Sequence, residues 1–201
     1  MSPLNDSVRS SCPQIGCLLL LAWLGAPCQA DPSLGSLPAI TLDFDELSFQ
    51  PVNDLSVSGV TFGFQLGGVD SGEAFYSSFG PGTLNYVSDP SLTGDAAGIL
   101  TMDFDFPTPI LEFAVALSTA DALTPGATVE LLDPSLQPVD VVSIDTTALT
   151  GNLGFSEGVF AYDGPPVSRA VVRFHHQPGS FAVDNLRFIV IPEPSPVVLT
   201  T

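Results

Sequence analysis

Past residue 31 the chain alternates apolar and polar positions in short runs, and almost nowhere with helical spacing. In 99–106 (ILTMDFDF) Leu100, Met102, Phe104 and Phe106 fall on one side, and Thr101, Asp103 and Asp105 on the other. A period of two is that of a half-buried strand, whose successive side chains point to opposite faces. The pattern restarts after Pro107-Thr108-Pro109, which reads as a turn, with Leu111, Phe113, Val115 and Leu117 in 110–118. Further strands are expected at 40–45 (ITLDFD), 57–64 (VSGVTFGF), 127–132 (ATVELL), 139–144, 170–176 (AVVRFHH) and 181–190 (FAVDNLRFIV). Clusters of Gly, Pro, Asp and Ser separate them. The stretch 67–95 is expected to hold two short strands, near 74–77 and 84–87, within long loops. Loops of that length in a compact domain are usually functional or mobile.

Many short alternating strands with no helical stretch between them predict an all-β fold. The specific expectation is a single antiparallel β-sandwich of the jelly-roll kind, spanning 31–191. All fourteen Phe lie after residue 31, mostly in the expected strands, as a sandwich core requires. Gly and Pro together make 37 of 201 residues, which adds turns rather than long helices.

Charge narrows the function. The chain carries 4 Lys+Arg against 22 Asp+Glu, a formal net charge of −18, and it has no lysine. A nucleic-acid partner is excluded, because phosphate backbones are held by a basic face. Docking on anionic lipid is disfavoured for the same reason. Arg169, Arg173 and Arg187 are expected to pair with carboxylates.

The first 30 residues read as an export signal. Arg9 precedes an apolar core at 15–25 (IGCLLLLAWLG), and 26–30 end on small residues suited to cleavage. That core is shorter than the roughly 20 residues needed to span a bilayer. Cys12, Cys17 and Cys28 all precede the cut, so the exported chain is expected to have no disulfide and no thiolate chemistry.

Few constellations suit catalysis. Residues 154–158 (GFSEG) match the G-x-S-x-G pattern, but that motif works on a strand-to-helix turn, and a strand follows Ser156 here. A serine hydrolase is therefore only a remote alternative, and no catalytic residue is assigned. Asp43/Asp45 and Asp103/Asp105 are pairs two apart on strands, most simply solvated faces. His175 and His176 are neighbours on a strand and point to opposite sides, so they cannot share a metal. Sugar rings stack on exposed aromatics, and Tyr76 and Tyr86, with Phe75 and Phe79 close by in the long loop stretch, are the candidate ligand-binding residues.

Two features now carry a resemblance. Ile191-Pro192-Glu193-Pro194-Ser195 follows directly on the last strand and resembles the motif that opens the sorting signal of PEP-CTERM proteins. LDFDEL, GVTF, the run through Phe106–Leu111 and FAVDNLRF resemble the jelly-roll body that many such proteins carry. The resemblance implies export to the surface or extracellular space of a Gram-negative bacterium, an exosortase-type processing partner, and association with exopolysaccharide or biofilm matrix. Residues 192–201 carry the motif, Pro192, Glu193 and Pro194, without the helix and basic cluster that complete the family's signal. A shortened sequence and a secreted variant are the two readings of that tail. The expected function is a non-catalytic matrix or surface protein, with a carbohydrate-binding module of the same fold, bound to extracellular polysaccharide, as the alternative. Likeness to carbohydrate-binding sandwiches further implies a structural Ca²⁺ held by Asp45, Glu46, Asp184 and Asn185. Oxygen ligands are what that ion takes. The competing expectation is that Asp184 pairs with an arginine or ends a bulge.

Overall fold

A strand of 19 residues is roughly 60 Å long, too long for one layer of a small sandwich, and the fold contains two of them. The computed structural model describes residues 38–149 and 154–191. The export segment 1–30 and the motif at Pro192, Glu193 and Pro194 lie outside those residues.

Twelve strands and no helix make up the described residues. They are β1 (Ala39–Leu42), β2 (Gln50–Pro51), β3 (Leu55–Val57), β4 (Val60–Leu66), β5 (Val69–Asp70), β6 (Ala74–Ser78), β7 (Ser91–Asp95), β8 (Ile99–Leu117), β9 (Leu123–Leu132), β10 (Pro138–Ala148), β11 (Ser156–Phe174) and β12 (Ser180–Ile189). All pairings are antiparallel. The fold is the expected all-β antiparallel sandwich.

The long strands serve both layers. The first half of β8 pairs with β4, and its second half pairs with β12. β11 follows β8 along its whole length and adds β9 on its C-terminal half. One layer therefore runs β2-β6-β7-β12-β8-β11, and the other contains β4-β8-β11-β9-β10. Strands that switch layers by bending are a known solution for closing a sandwich corner.

The corner explains a difference from the sequence reading. Pro107-Thr108-Pro109 is part of continuous β8 and makes no turn. Prolines cannot donate to a ladder. They sit where the β8–β11 register shifts, between Asp163 and Arg169. Buried Thr108 bridges the bend, donating to the Ile110 carbonyl at 2.7 Å and accepting the Ile189 N–H at 3.2 Å. The run 57–64 is likewise not one strand. Ser58 and Gly59 adopt φ of 50° and 87°, which closes a tight hairpin between β3 and β4.

Alternation carries the core faces together as expected as far as Phe104; Phe106, expected on the same face, is exposed just before the bend at Pro107–Pro109. Phe62, Phe64, Leu100 and Met102 face Phe113, Val115, Phe181 and Phe188, all essentially inaccessible. Rings meet across the layers: Phe64–Phe181 at 6.0 Å, Phe174–Phe181 at 4.0 Å and Phe104–Phe188 at 5.1 Å. Truncating one such ring to alanine removes about 3–5 kcal/mol. Gly94 of β7 belongs to this packing, because a Cβ there would lie 2.8 Å from the Phe181 ring.

Candidate functional site

The opposite face of the β12-β8-β11 layer is lined by small residues, Ala114, Ala116 and Ala182. Onto it folds the segment joining β6 and β7, through Leu84 and buried Val87. Small side chains let a loop lie close on a sheet, but its backbone N–H groups then need acceptors. Two carboxylates supply them. Glu157, only 2% exposed, accepts from three successive backbone N–H groups: Asn85 at 3.0 Å, and Tyr86 and Val87 at 2.9 Å each. Asp184, 1% exposed, accepts from the Ser88 N–H at 2.9 Å, the Ser88 hydroxyl at 3.3 Å and the Asn185 N–H. Asn185 Nδ2 also donates to the Tyr86 carbonyl at 2.9 Å. Burial drives the Asp184 carboxyl pKa upward, and the nearby Asp43 charge adds to that, against the opposing hydrogen bonds.

This arrangement explains why 84–87 is not a strand. Its donors are spent on Glu157 rather than on a neighbouring ladder. The backbone of Tyr86 is fixed on both sides while its side chain stays 55% exposed. Tyr86, expected from the sequence as a ligand-binding aromatic, is exposed but does not line the cleft that lies beside the loop. Glu157 escaped notice because it sits inside GFSEG, where the serine draws attention; a carboxylate ahead of the apolar run VFAY was the available signal.

Beside the loop, on the same outer face, lies a cleft of about 320 Å³. Phe75 and Phe79 line it with Phe155, and Glu73, Thr93 and Ser180 supply polar groups at its walls. Period two puts Phe75 outward while Ala74 and Tyr76 point into the core. Phe79 is 97% exposed. Phe49 stacks on Phe75 at 5.0 Å and continues the aromatic surface beyond the cleft. An aromatic strip with a few polar groups matches the character of small-ligand sites.

Tyr76 does not share this role. It is wholly buried, its ring 5.1 Å from Phe44, and its hydroxyl donates to Glu46. Period two decides this, since its neighbour Phe75 takes the outward position. Desolvation, then the Glu46 bond, drives its phenol well above the usual range.

The metal residues also divide. Asp43, Asp45 and Glu46 each bring a carboxylate oxygen to within 4.8 Å of the others. Phe44, at φ 62°, turns its ring into the core and leaves the flanking acids outside. The Asp43 carboxylate beside Asp45 favours its protonated form, as acceptor for that proton and by like-charge repulsion, which raises the Asp45 pKa. Such a group of hard oxygens is chemically able to take a cation. Asp184 and Asn185 are engaged with the 84–88 loop, and the acidic group contains Asp43 instead. Asp184 lies at the start of a bulge in β12, where the register to β8 shifts before Arg187 and Asn185 takes φ 54°.

The remaining candidates are structural. Ser156 is buried at the start of β11 and bonds Thr146 at 3.0 Å, with no strand-to-helix turn. The Thr128 hydroxyl and His175 Nε2 are hydrogen-bonded at 3.2 Å. Arg169 pairs with Asp103, Arg173 with Glu130 at 2.9 Å and Arg187 with Glu112 at 2.8 Å, as the sequence led one to expect.

No protein-family model matches the chain, and no curated protein matches it either. Among solved structures it resembles a family 29 carbohydrate-binding module, with 7% identity, 70% of this chain and 87% of that one covered, and a TM-score of 0.38. It also resembles the cleaved adhesin domain of Lys-gingipain, with 11% identity, 76% and 98% covered, and a TM-score of 0.44. A third is a family 29 module complexed with mannohexaose, with 8% identity, 76% and 91% covered, and a TM-score of 0.39. The likeness is one of β-sandwich architecture and assigns no family. The class that fold and cleft define is an antiparallel β-sandwich with an aromatic cleft on one outer face.

Proposed function

We propose that this chain is a non-catalytic glycan-binding β-sandwich that works outside the cell, within or on an extracellular polysaccharide matrix. The observation that carries the reading is the cleft of Phe75, Phe79 and Phe155 beside the clamped loop. A pyranose ring has an apolar C–H face and a polar rim. An aromatic floor takes the face, and Glu73, Thr93 and Ser180 take the hydroxyls. Because Phe79 contributes almost nothing to the core, replacing it separates binding from stability. Phe79→Ala is expected to weaken polysaccharide binding about tenfold, corresponding to about 1.4 kcal/mol, with an unchanged melting temperature. Equal affinity in wild type and variant would overturn the assignment.

Export belongs to the same proposal. Residues 1–30 direct secretion, 31–191 form the binding domain, and Pro192, Glu193 and Pro194 are the motif for an exosortase-type enzyme. Asp43, Asp45 and Glu46 hold a structural Ca²⁺ that ties the turn after β1 in place.

A further inference from the structure

Resting on the glycan-binding reading of the cleft, we infer that its ligand is an uncharged polysaccharide and that polymers bearing uronate or sulfate groups are excluded. A carboxylate or sulfate ester is held most strongly by a guanidinium or ammonium group. The chain has no lysine, and each described arginine is committed to a carboxylate: Arg169 to Asp103, Arg173 to Glu130 and Arg187 to Glu112. Among the described residues, neither an arginine nor a histidine lines the cleft.

The groups that do surround it carry the opposite sign. Glu73 is part of the wall. Asp89 accepts the N–H of Gly80, another wall residue, at 2.6 Å. Asp95 lies directly across the ladder from Ser180. One carboxylate thus lines the cleft and two more belong to residues that adjoin its wall, in a chain of net charge −18, so an acidic sugar entering it would meet repulsion. A neutral sugar meets none of this. Its hydroxyls donate to Glu73, and its ring faces stack on Phe75 and Phe79.

Affinity electrophoresis of the chain spanning 31–201 tests the inference. Gels contain a neutral polymer, hydroxyethylcellulose or glucomannan, or an acidic one, polygalacturonate or alginate, at about 20 and about 500 mM NaCl. Retardation by a neutral polymer is expected, changing less than about twofold between the salts, as screening predicts for an uncharged ligand. No retardation by either acidic polymer is expected at low salt. Phe79→Ala should weaken the neutral retardation about tenfold. Retardation by polygalacturonate or alginate at low salt, equal to or stronger than by the neutral polymers, overturns this inference and leaves the glycan-binding reading standing. Retardation by none of the four overturns both.

Discussion

Glu157 and Val87 stand 70 positions apart in the chain, and the buried Glu157 carboxylate accepts the Val87 N–H at 2.9 Å. The same carboxylate holds the N–H groups of Asn85 and Tyr86, so one side chain shapes a whole turn. Glu157→Ala leaves three amides without their acceptor. The expected loss is about 2–4 kcal/mol, since the loop can lift toward water instead of keeping all three unsatisfied. Hydrogen exchange at 85–87 should accelerate strongly while that at 113–115, in the central strand β8, stays slow. Unchanged exchange at 85–87 would show that the turn holds itself.

Asp184 gives that turn a pH dependence of unusual sign. Its pKa is raised in the folded protein, so folding takes up a proton between the ordinary carboxylate value and the raised one. The stability contributed by this group is complete at acid pH and is lost as the pH rises through that window. Asp184→Asn removes the titration along with one acceptor. Its stability deficit against wild type, from urea unfolding at several pH values, should be largest near pH 4 and shrink toward neutrality. A deficit that grows with pH contradicts the assignment.

How far the sequence revealed this molecule can be judged from individual residues. Alternation from Leu100 to Leu117 showed the core face, and the packed rings of Phe104, Phe113 and Phe188 follow from it. Local rules misplaced the boundaries. Pro107 and Pro109 signal a turn to any short-range reading, and only the pairing of β8 with β4, β11 and β12 reveals that they mark a bend between layers. The site was half legible. Phe75 and Phe79, which line the cleft, and the exposed Tyr86, which does not, all stand in the long stretch 67–95. Tyr76 belongs to the core because its parity on β6 puts it there; the strand expected near 74–77 has nearly the observed extent, but which of its faces is buried is set by its pairing with β2 and β7. Glu157 and Asp184 could not be assigned to the loop, because their partners lie 70 to 96 positions away.

Tyr76 should make its burial visible at high pH. Its phenol is shifted upward by desolvation and by its bond to Glu46, whereas an unfolded tyrosine ionises near pH 10. Stability from this group is therefore complete below about pH 10 and falls above it, as the unfolded state alone releases the proton. Tyrosinate absorbance during alkaline titration should show one residue ionising only together with unfolding, and Tyr76→Phe should lose that step. Ionisation of Tyr76 in the folded protein at ordinary phenol pH contradicts its placement.

The acidic turn calls for a calorimetric test. If Asp43, Asp45 and Glu46 hold Ca²⁺ only in the folded state, a hundredfold excess over Kd adds about 2.7 kcal/mol. For a domain of this size, the melting temperature then rises about 5–11 °C relative to EDTA-treated protein. Asp45→Asn should remove most of the rise, and Asp184→Asn should leave it in place. Identical melting in calcium and in EDTA excludes the ion.

Whether the outer-face cleft beside the clamped loop binds glycan is read from a titration of the isotopically labelled domain with a neutral hexasaccharide, followed residue by residue in amide NMR spectra. Saturable shifts are expected at Glu73, Phe75, Gly80, Thr93, Phe155 and Ala182, needing about tenfold more ligand in Phe79→Ala, with the core amides of β8 unmoved. Saturable shifts confined to another face, or no shifts with any neutral hexasaccharide from glucan, mannan or xylan, would contradict glycan binding at the cleft.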